Sequence, residues 1–155
     1  MVPVADKWPL RRAARRDLKA LCELQRRTQH RFWDLSTWEI EYERDSGVIW
    51  VVDGPREAKI IAYLVAWRVL DTVEIVDLAV APDYRRRSVA STMLDTLAVL
   101  AAASGASQIA LEVAENNRAA VGFYENRGFQ HQGRRSAFYA DGEEAILMSF
   151  ELSDS

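Results

Sequence analysis

The sequence predicts one α+β domain, a mixed, mostly antiparallel sheet of seven strands flanked by four helices. Three observations predict it. Apolar residues recur with period two in some segments and near 3.6 in others, in the order β-α-α-β-β-β-α-β-α-β-β. The middle of that order is a strand-helix-strand unit. The chain has 155 residues, with no internal repeat and no linker rich in Pro, Gly or Ser, which suits a single compact domain.

The elements follow in turn. Residues 10–14 form a short first strand. Residues 16–29 form a helix with Leu18, Leu21 and Cys22 on one face. Ser36-Thr37-Trp38-Glu39 has the pattern of a capping box, so a second helix starts there and runs to about Arg44, closed by Asp45-Ser46-Gly47. Residues 48–52 are a strand, Asp53-Gly54-Pro55 a turn, and residues 58–69 its hairpin partner. Residues 72–81 form the next strand, stopped by Pro82. Residues 86–103 make a long helix with Ala90, Met93, Leu94, Leu97 and Ala101 at helical spacing, ended by Gly105. Residues 108–113 are a strand with Ile109, Leu111 and Val113 on one face. Asn116 or Asn117 caps a helix that ends at Gly128. Residues 130–138 and 144–151 form a final hairpin around Asp141-Gly142.

Composition excludes several classes of function. The net charge of −3 disfavours a protein that binds DNA or RNA through its whole surface. A single cysteine, Cys22, allows no intramolecular disulfide and is expected to be a buried structural thiol. Residues 1–12 lack the apolar core of a signal peptide, and the longest apolar runs are too short to span a bilayer. A cytoplasmic protein is expected. His30 and His131 are isolated, so no metal site is expected.

The chemistry concentrates at two places. In Val80-Ala81-Pro82-Asp83-Tyr84-Arg85-Arg86-Arg87-Ser88-Val89-Ala90 a strand stops, a loop carries three arginines, and a helix begins. Helix N-termini present unpaired N–H groups and partial positive charge, which suit phosphates, and guanidinium groups add donors. Three arginines alone usually mark a solvated loop, but the strand-loop-helix context favours anion binding. The second place is Asn117-x-x-Ala120-x-x-Phe123-Tyr124-x-x-x-Gly128-Phe129. Asn117 and Tyr124 are seven residues apart, so they share a helix face about 10 Å apart.

Together these segments resemble the two signatures of the GNAT acetyltransferases, with Arg85-x-x-Ser88-x-Ala90 matching the acetyl-CoA loop and the asparagine-tyrosine pattern matching at every position. Ser88 stands where the family has glycine. If that position needs a positive φ, serine is strained; if it is helical, serine is tolerated and its hydroxyl can meet a phosphate. The resemblance is strongest to the RimI type, which acetylates the N-terminal alanine of a ribosomal protein, and includes Leu111-Glu112-Val113 and Glu144-Ala145-Ile146-Leu147-Met148.

The resemblance implies a GNAT-like αβα fold and acetyl-CoA as cosubstrate. Arg85, Arg86, Arg87, Ser88, Val89, Ala90 and Ser91 would hold the pyrophosphate, and Leu78, Ala79 and Val80 would pair with the pantetheine arm as an added strand. Asn117 and Tyr124 would complete the cofactor site. It also implies Glu112 as general base and Tyr124 as general acid. Glu74, in Glu74-Ile75-Val76-Asp77-Leu78-Ala79-Val80, resembles the base of the histone-acetylating branch and is the rival. An α-amine with a pKa near 8 is roughly one-tenth neutral at pH 7, a lysine near 10.4 less than about one-thousandth, so a carboxylate is adequate for an N-terminal amine.

Acceptor-side candidates are Phe32, Trp33, Asp34, Trp38, Glu39, Phe138 and Tyr139, whose acidic members suit a cationic peptide N-terminus. The expected partners are acetyl-CoA and the N-terminus of a small-subunit ribosomal protein, with neither DNA nor membrane, and the chain is expected to be a monomer or weak homodimer. Attack is expected to be direct, in a ternary complex. The alternatives are a GNAT enzyme for another amine (a lysine side chain, a polyamine or an antibiotic) and a non-catalytic coenzyme A-binding homologue.

Overall fold

A computed structural model describes residues 8–29, 31–55, 59–136 and 142–153. In chain order the elements are β1 (Arg11–Arg12), α1 (Leu18–Thr28), α2 (Leu35–Glu43), β2 (Gly47–Asp53), β3 (Ile60–Val69), β4 (Thr72–Val80), α3 (Val89–Ala103), β5 (Gln108–Ala114), α4 (Arg118–Asn126), β6 (Gln130–Arg135) and β7 (Ala145–Glu151). One-turn 3₁₀ helices at Arg15–Asp17 and Pro82–Tyr84 precede α1 and follow β4. The order is the one the periodicities predict. No helix among the described residues is long and apolar enough to cross a membrane.

The seven strands form one sheet in the order β1-β2-β3-β4-β5-β7-β6, with every pair antiparallel except β4–β5. A parallel pair needs a long crossover, and α3 supplies it. The core is the apolar side of each layer: Leu21, Leu24 and Trp38 from α1 and α2, Val51, Val52 and Ile61 to Ala66 from the central hairpin, and Met93, Leu97, Ile109 and Met148 beyond.

Register assigns the helices to faces. Trp38 packs edge-on against Tyr63 and the Trp67 indole donates to Glu41, so α1 and α2 cover the sheet face that carries Tyr63 and Trp67. Glu74 pairs with Trp67 and Ala110, which puts Glu74, Ala110 and Glu112 on that same face. Ile109 pairs with Phe150, whose ring meets Phe129, which meets Tyr124, so α4 covers the opposite face. An Arg127–Asp95 ion pair ties α3 to α4 on that side.

The β4–β5 ladder carries the functional consequence. It holds only from Thr72↔Gln108 to Ile75↔Leu111. Beyond it, β4 stays with β3 as far as Val80, while β5 stays with β7 as far as Ala114. The sheet therefore opens as a wedge between Leu78–Val80 and residues 112–114. A β-bulge sits at the opening: Val65 faces Asp77 and Ala66 faces Ile75, leaving Val76 unpaired. Bulges bend their strand and raise its twist, which turns β4 away from β5.

Four local expectations need correction. The N-cap of α2 is Asp34, whose side chain accepts from Thr37 N; Ser36 instead donates its hydroxyl to Asp34. The helix thus starts before the expected box. Next, α3 starts at Val89 rather than Arg86, because Arg86 (φ 62°) and Ser88 (φ 67°) are left-handed. Finally, β1 is two residues long, and Cys22 is half-buried with Sγ 3.5 Å from the Trp33 carbonyl.

Candidate active site

Several of the residues the sequence nominates lie on the strand ends and loops that flank the wedge. On its β4 side, Ala81 N bonds Ile61 O, so by the antiparallel alternation Ala79 also faces β3 while Leu78 and Val80 turn their N–H and C=O toward the gap. Three of those four groups meet side chains. Leu78 N donates to Asp77 Oδ1 (3.0 Å), Leu78 O accepts from Gln29 (3.0 Å) and Val80 O accepts from Arg85 Nε (3.2 Å). The Val80 N–H is the gap-facing group left without a side-chain partner among the described residues.

At the mouth of the wedge lies the arginine loop. Arg86 and Ser88 are left-handed and Arg87 between them is not, an alternation that turns successive N–H groups into one concavity, suited to an anion. This resolves the Ser88 alternatives toward strain: its φ is positive, and its side chain makes no capping bond. The Ser88 carbonyl opens α3, accepting from Thr92 N (3.0 Å), Thr92 Oγ1 (2.6 Å) and Ser91 Oγ (3.2 Å). Arg85, Arg86, Arg87 and Ser88 are exposed, while Val89 is buried and Ala90 partly so.

Across the gap, Asn117 is the N-cap of α4, its Oδ1 accepting from Ala120 N at 3.2 Å. Seven residues on, the Tyr124 ring is buried against Phe123 and Phe129. Its hydroxyl has no hydrogen-bond partner among the described residues and is not sealed from the surface. Burial, then the nearby charge of Asp77, pushes its pKa above the ordinary tyrosine value. The shift favours the protonated phenol.

Glu112 lies on β5, where it pairs with Arg135 of β6 at 2.9 Å. It approaches the wedge from the α1–α2 face, Tyr124 from the other, so a ligand that meets both must lie in the gap. Glu74 is half-buried deeper in the ladder, opposite Ala110, where the strands are still paired.

The acceptor-side candidates divide. Trp33 is half-buried, stacked edge-on against Trp38 with centroids 4.9 Å apart. Trp38 is fully buried and belongs to the core. Asp34 is exposed, and the Thr37 N–H holds its carboxyl below the usual value. Glu39 is exposed and 4.0 Å from Arg15. Phe32 is exposed under the Arg26 guanidinium. Phe138 and Tyr139 lie outside the described residues.

The sequence reading missed Asp77. Its Oδ2 accepts from Tyr63 (2.6 Å) and Gln25 (2.8 Å), its Oδ1 from Gln29 (2.9 Å) and Leu78 N. The Gln25 amide oxygen in turn accepts from Trp33 N (2.7 Å) and Trp38 Nε1 (3.1 Å). One buried amide thus joins the α1–α2 loop to the bulged strand. Burial raises the Asp77 pKa against the pull of its donors. The available signal was an aspartate in the apolar run Ile75-Val76-Asp77-Leu78, which needs a buried partner. A separate hollow of about 800 Å³ opens between α1 and the Pro82–Tyr84 turn, lined by Arg16, Glu23, Arg27 and Lys59 among others, and none of the nominated residues lines it.

Comparison with known proteins identifies the arrangement. The profile of the acetyltransferase (GNAT) family matches residues 15–129. The [ribosomal protein bS18]-alanine N-acetyltransferase of Escherichia coli (strain K12) is 33% identical over 101 residues, 63% of this chain and 68% of that protein. An N-alpha-acetyltransferase of Saccharolobus solfataricus is 36% identical over 79 residues, 50% of this chain and 47% of its own. The matched stretches thus span about two thirds of the former relative and half of the latter. The crystal structure of the Escherichia coli ribosomal-protein-S18-alanine N-acetyltransferase superposes with a TM-score of 0.84 at 26% identity, over 94% of both chains. Arabidopsis thaliana NAA60 in complex with acetyl-CoA shares the fold, with a TM-score of 0.84 at 18% identity over 92% of this chain and 97% of its own. A sheet that splits between β4 and β5, a loop with two left-handed residues after β4 and a buried tyrosine on α4 are thus combined with a profile that covers most of the chain, which belongs to the acetyltransferase (GNAT) family and takes its acetyl group from acetyl-CoA.

Proposed function

We propose that the chain acetylates the N-terminal α-amine, an alanine, of a small-subunit ribosomal protein, by direct attack within a ternary complex. The observation that carries the reading is Tyr124, a buried phenol with a raised pKa and an unpartnered hydroxyl at the gap, with Glu112 on the far side. The bS18-alanine acetyltransferase from Escherichia coli named above supports the choice of acceptor.

In this reading the amides of residues 86–91 hold the pyrophosphate and the arm lies along the Leu78–Val80 edge. The amine attacks the thioester carbonyl carbon, the Val80 N–H stabilises the oxyanion, and the C–S bond breaks. Tyr124 gives its proton to the departing thiolate, and Glu112 receives the amine proton, directly or through one water. Glu112 takes precedence over Glu74 because the ladder is still closed at Glu74 and open at Glu112. Trp33 and Asp34 would line the acceptor side with Glu39 and Tyr139. The partially buried Cys22, at the Trp33 carbonyl, takes no acetyl group.

Intact-mass analysis after incubation with acetyl-CoA tests the reading, using ribosomal-protein N-terminal peptides with a free or a blocked α-amine, each containing an internal lysine. One acetyl group added to the free-amine, alanine-first peptide alone supports it. Acetylation of the blocked peptide assigns the chain to side-chain amines instead, and no transfer to any amine assigns it to coenzyme A binding without catalysis.

A further inference from the structure

We infer that Trp8 is a positioning residue for the acetyl donor, holding the peptide plane between Arg87 and Ser88 so that the Ser88 N–H points into the phosphate cradle. The inference rests on the assignment of the pyrophosphate to the loop at residues 86–91.

The reasoning starts from Ser88. A left-handed backbone is costly for any residue with a Cβ, and here Arg86 and Ser88 both adopt it within an exposed loop. Such strain persists only where surrounding contacts over-determine it. The peptide plane between Arg87 and Ser88 has a relaxed alternative. Turning it over returns φ of Ser88 to negative values, points the Arg87 carbonyl into the cradle and takes the Ser88 N–H out of it. Because C=O and N–H point oppositely across a trans peptide, whatever holds the carbonyl aims the amide. Glycine would have little preference between the two states, whereas serine favours the unproductive one.

The hold comes from outside the β4–α3 junction. The Trp8 indole N–H donates to the Arg87 carbonyl at 3.0 Å. The Trp8 ring meets Tyr84 edge-on, with centroids 6.2 Å apart and planes at 90°, and the Arg87 guanidinium lies 5.1 Å over the same tyrosine ring. A residue 79 positions upstream of Arg87 thereby holds its carbonyl, while Tyr84, which Trp8 touches, carries the Arg87 side chain. Trp8 lies outside the segment that the family profile matches.

A protein whose competent loop is only partly populated binds with an apparent Kd raised by the inverse of that fraction. Trp8→Phe keeps a ring beside Tyr84 and removes the N–H. It should raise the Kd and KM for acetyl-CoA about ten-fold, the equivalent of one left-handed penalty, with kcat at saturating acetyl-CoA and the unfolding midpoint unchanged. In a Ser88→Gly background the same substitution should change Kd less than about two-fold, because glycine removes the bias Trp8 opposes. Calorimetric titration of acetyl-CoA into the four proteins reads this directly. An unchanged Kd in the Ser88 background overturns the inference, as does an equal rise in both backgrounds, which would make Trp8 a general brace. Ser88→Asp separates this from the underlying site assignment. A carboxylate there should abolish binding, and undiminished binding would remove the phosphate site itself, whatever Trp8 does.

Discussion

Asp77 accepts hydrogen bonds from α1, from the residue that follows it, from β3 and from its own strand, and it holds them together at the point where the sheet splits. Asp77→Ala strands the Tyr63, Gln25, Gln29 and Leu78 donors in a partly buried site. It is expected to cost about 2–4 kcal/mol in denaturant unfolding, since each unsatisfied buried donor costs about 1–3 kcal/mol and relaxation recovers part. The raised pKa adds a pH signature. A carboxyl whose folded pKa lies above its unfolded value contributes stability that is full below about 3.9 and is lost as pH rises through the folded value. Asp77→Asn should therefore fall less in stability than the wild type between pH 4 and 7, and parallel profiles would refute the shift.

Tyr124 carries the corresponding prediction for activity. Its pKa is raised, so it stays protonated to beyond the ordinary tyrosine value near 10. The turnover profile should show no falling limb from this group below about pH 10, and kcat/KM should climb with the free α-amine through about pH 8 to a plateau near pH 9. Tyr124→Phe should lower kcat by about 10²–10⁴ with little change in acetyl-CoA affinity. A descending limb near pH 9 that survives in the Phe variant would assign the acid to another group.

Among the elements, α4 does two jobs with one side chain. Asn117 caps the helix through Oδ1, leaving its amide nitrogen for a ligand. Asn117→Ala should lose the cap and about 1 kcal/mol of stability. Asn117→Asp should keep wild-type stability, because aspartate caps equally well and favours the positive helix end, yet bind acetyl-CoA more weakly through the lost donor and added charge. Equal affinity for the Asp variant and wild type would reduce Asn117 to a cap.

How legible an element was in the sequence follows from where its determinants lie. The order of strands and helices was readable because periodicity is local, as in Ile109, Leu111 and Val113. The start of α3 was not, because the left-handed turns at Arg86 and Ser88 violate residue preference and are held by contacts from elsewhere. The Asp34 cap was hidden by a competing capping box that begins two residues further on. The Asp77 network was invisible because its donors come from residues 25, 29 and 63, brought together only by folding. The Asn117 cap and the place of Tyr124 on α4 were readable because both depend on residues of one short segment.

At the scale of the whole molecule, the sheet is two half-sheets joined by a four-pair parallel ladder, Thr72↔Gln108 to Ile75↔Leu111. One half carries the β4 edge and the arginine loop; the other carries Glu112 and, through β7 and Phe129, the packing of α4. A ligand in the gap touches both, so its binding free energy should appear as stability of the junction as well as of the loop. Acetyl-CoA at about 100 times its Kd should stabilise the fold by about 2.7 kcal/mol, and the unfolding midpoint should rise by several degrees. The distribution of that stabilisation is the sharper test. Amide exchange should slow at Leu78 and Val80 and at residues 112–114 as well as at residues 86–91, because a ligand that spans the wedge suppresses its local opening. Slowing confined to residues 86–91 would mean that the phosphate end docks while the wedge stays empty, and the thioester would then have no route to Tyr124.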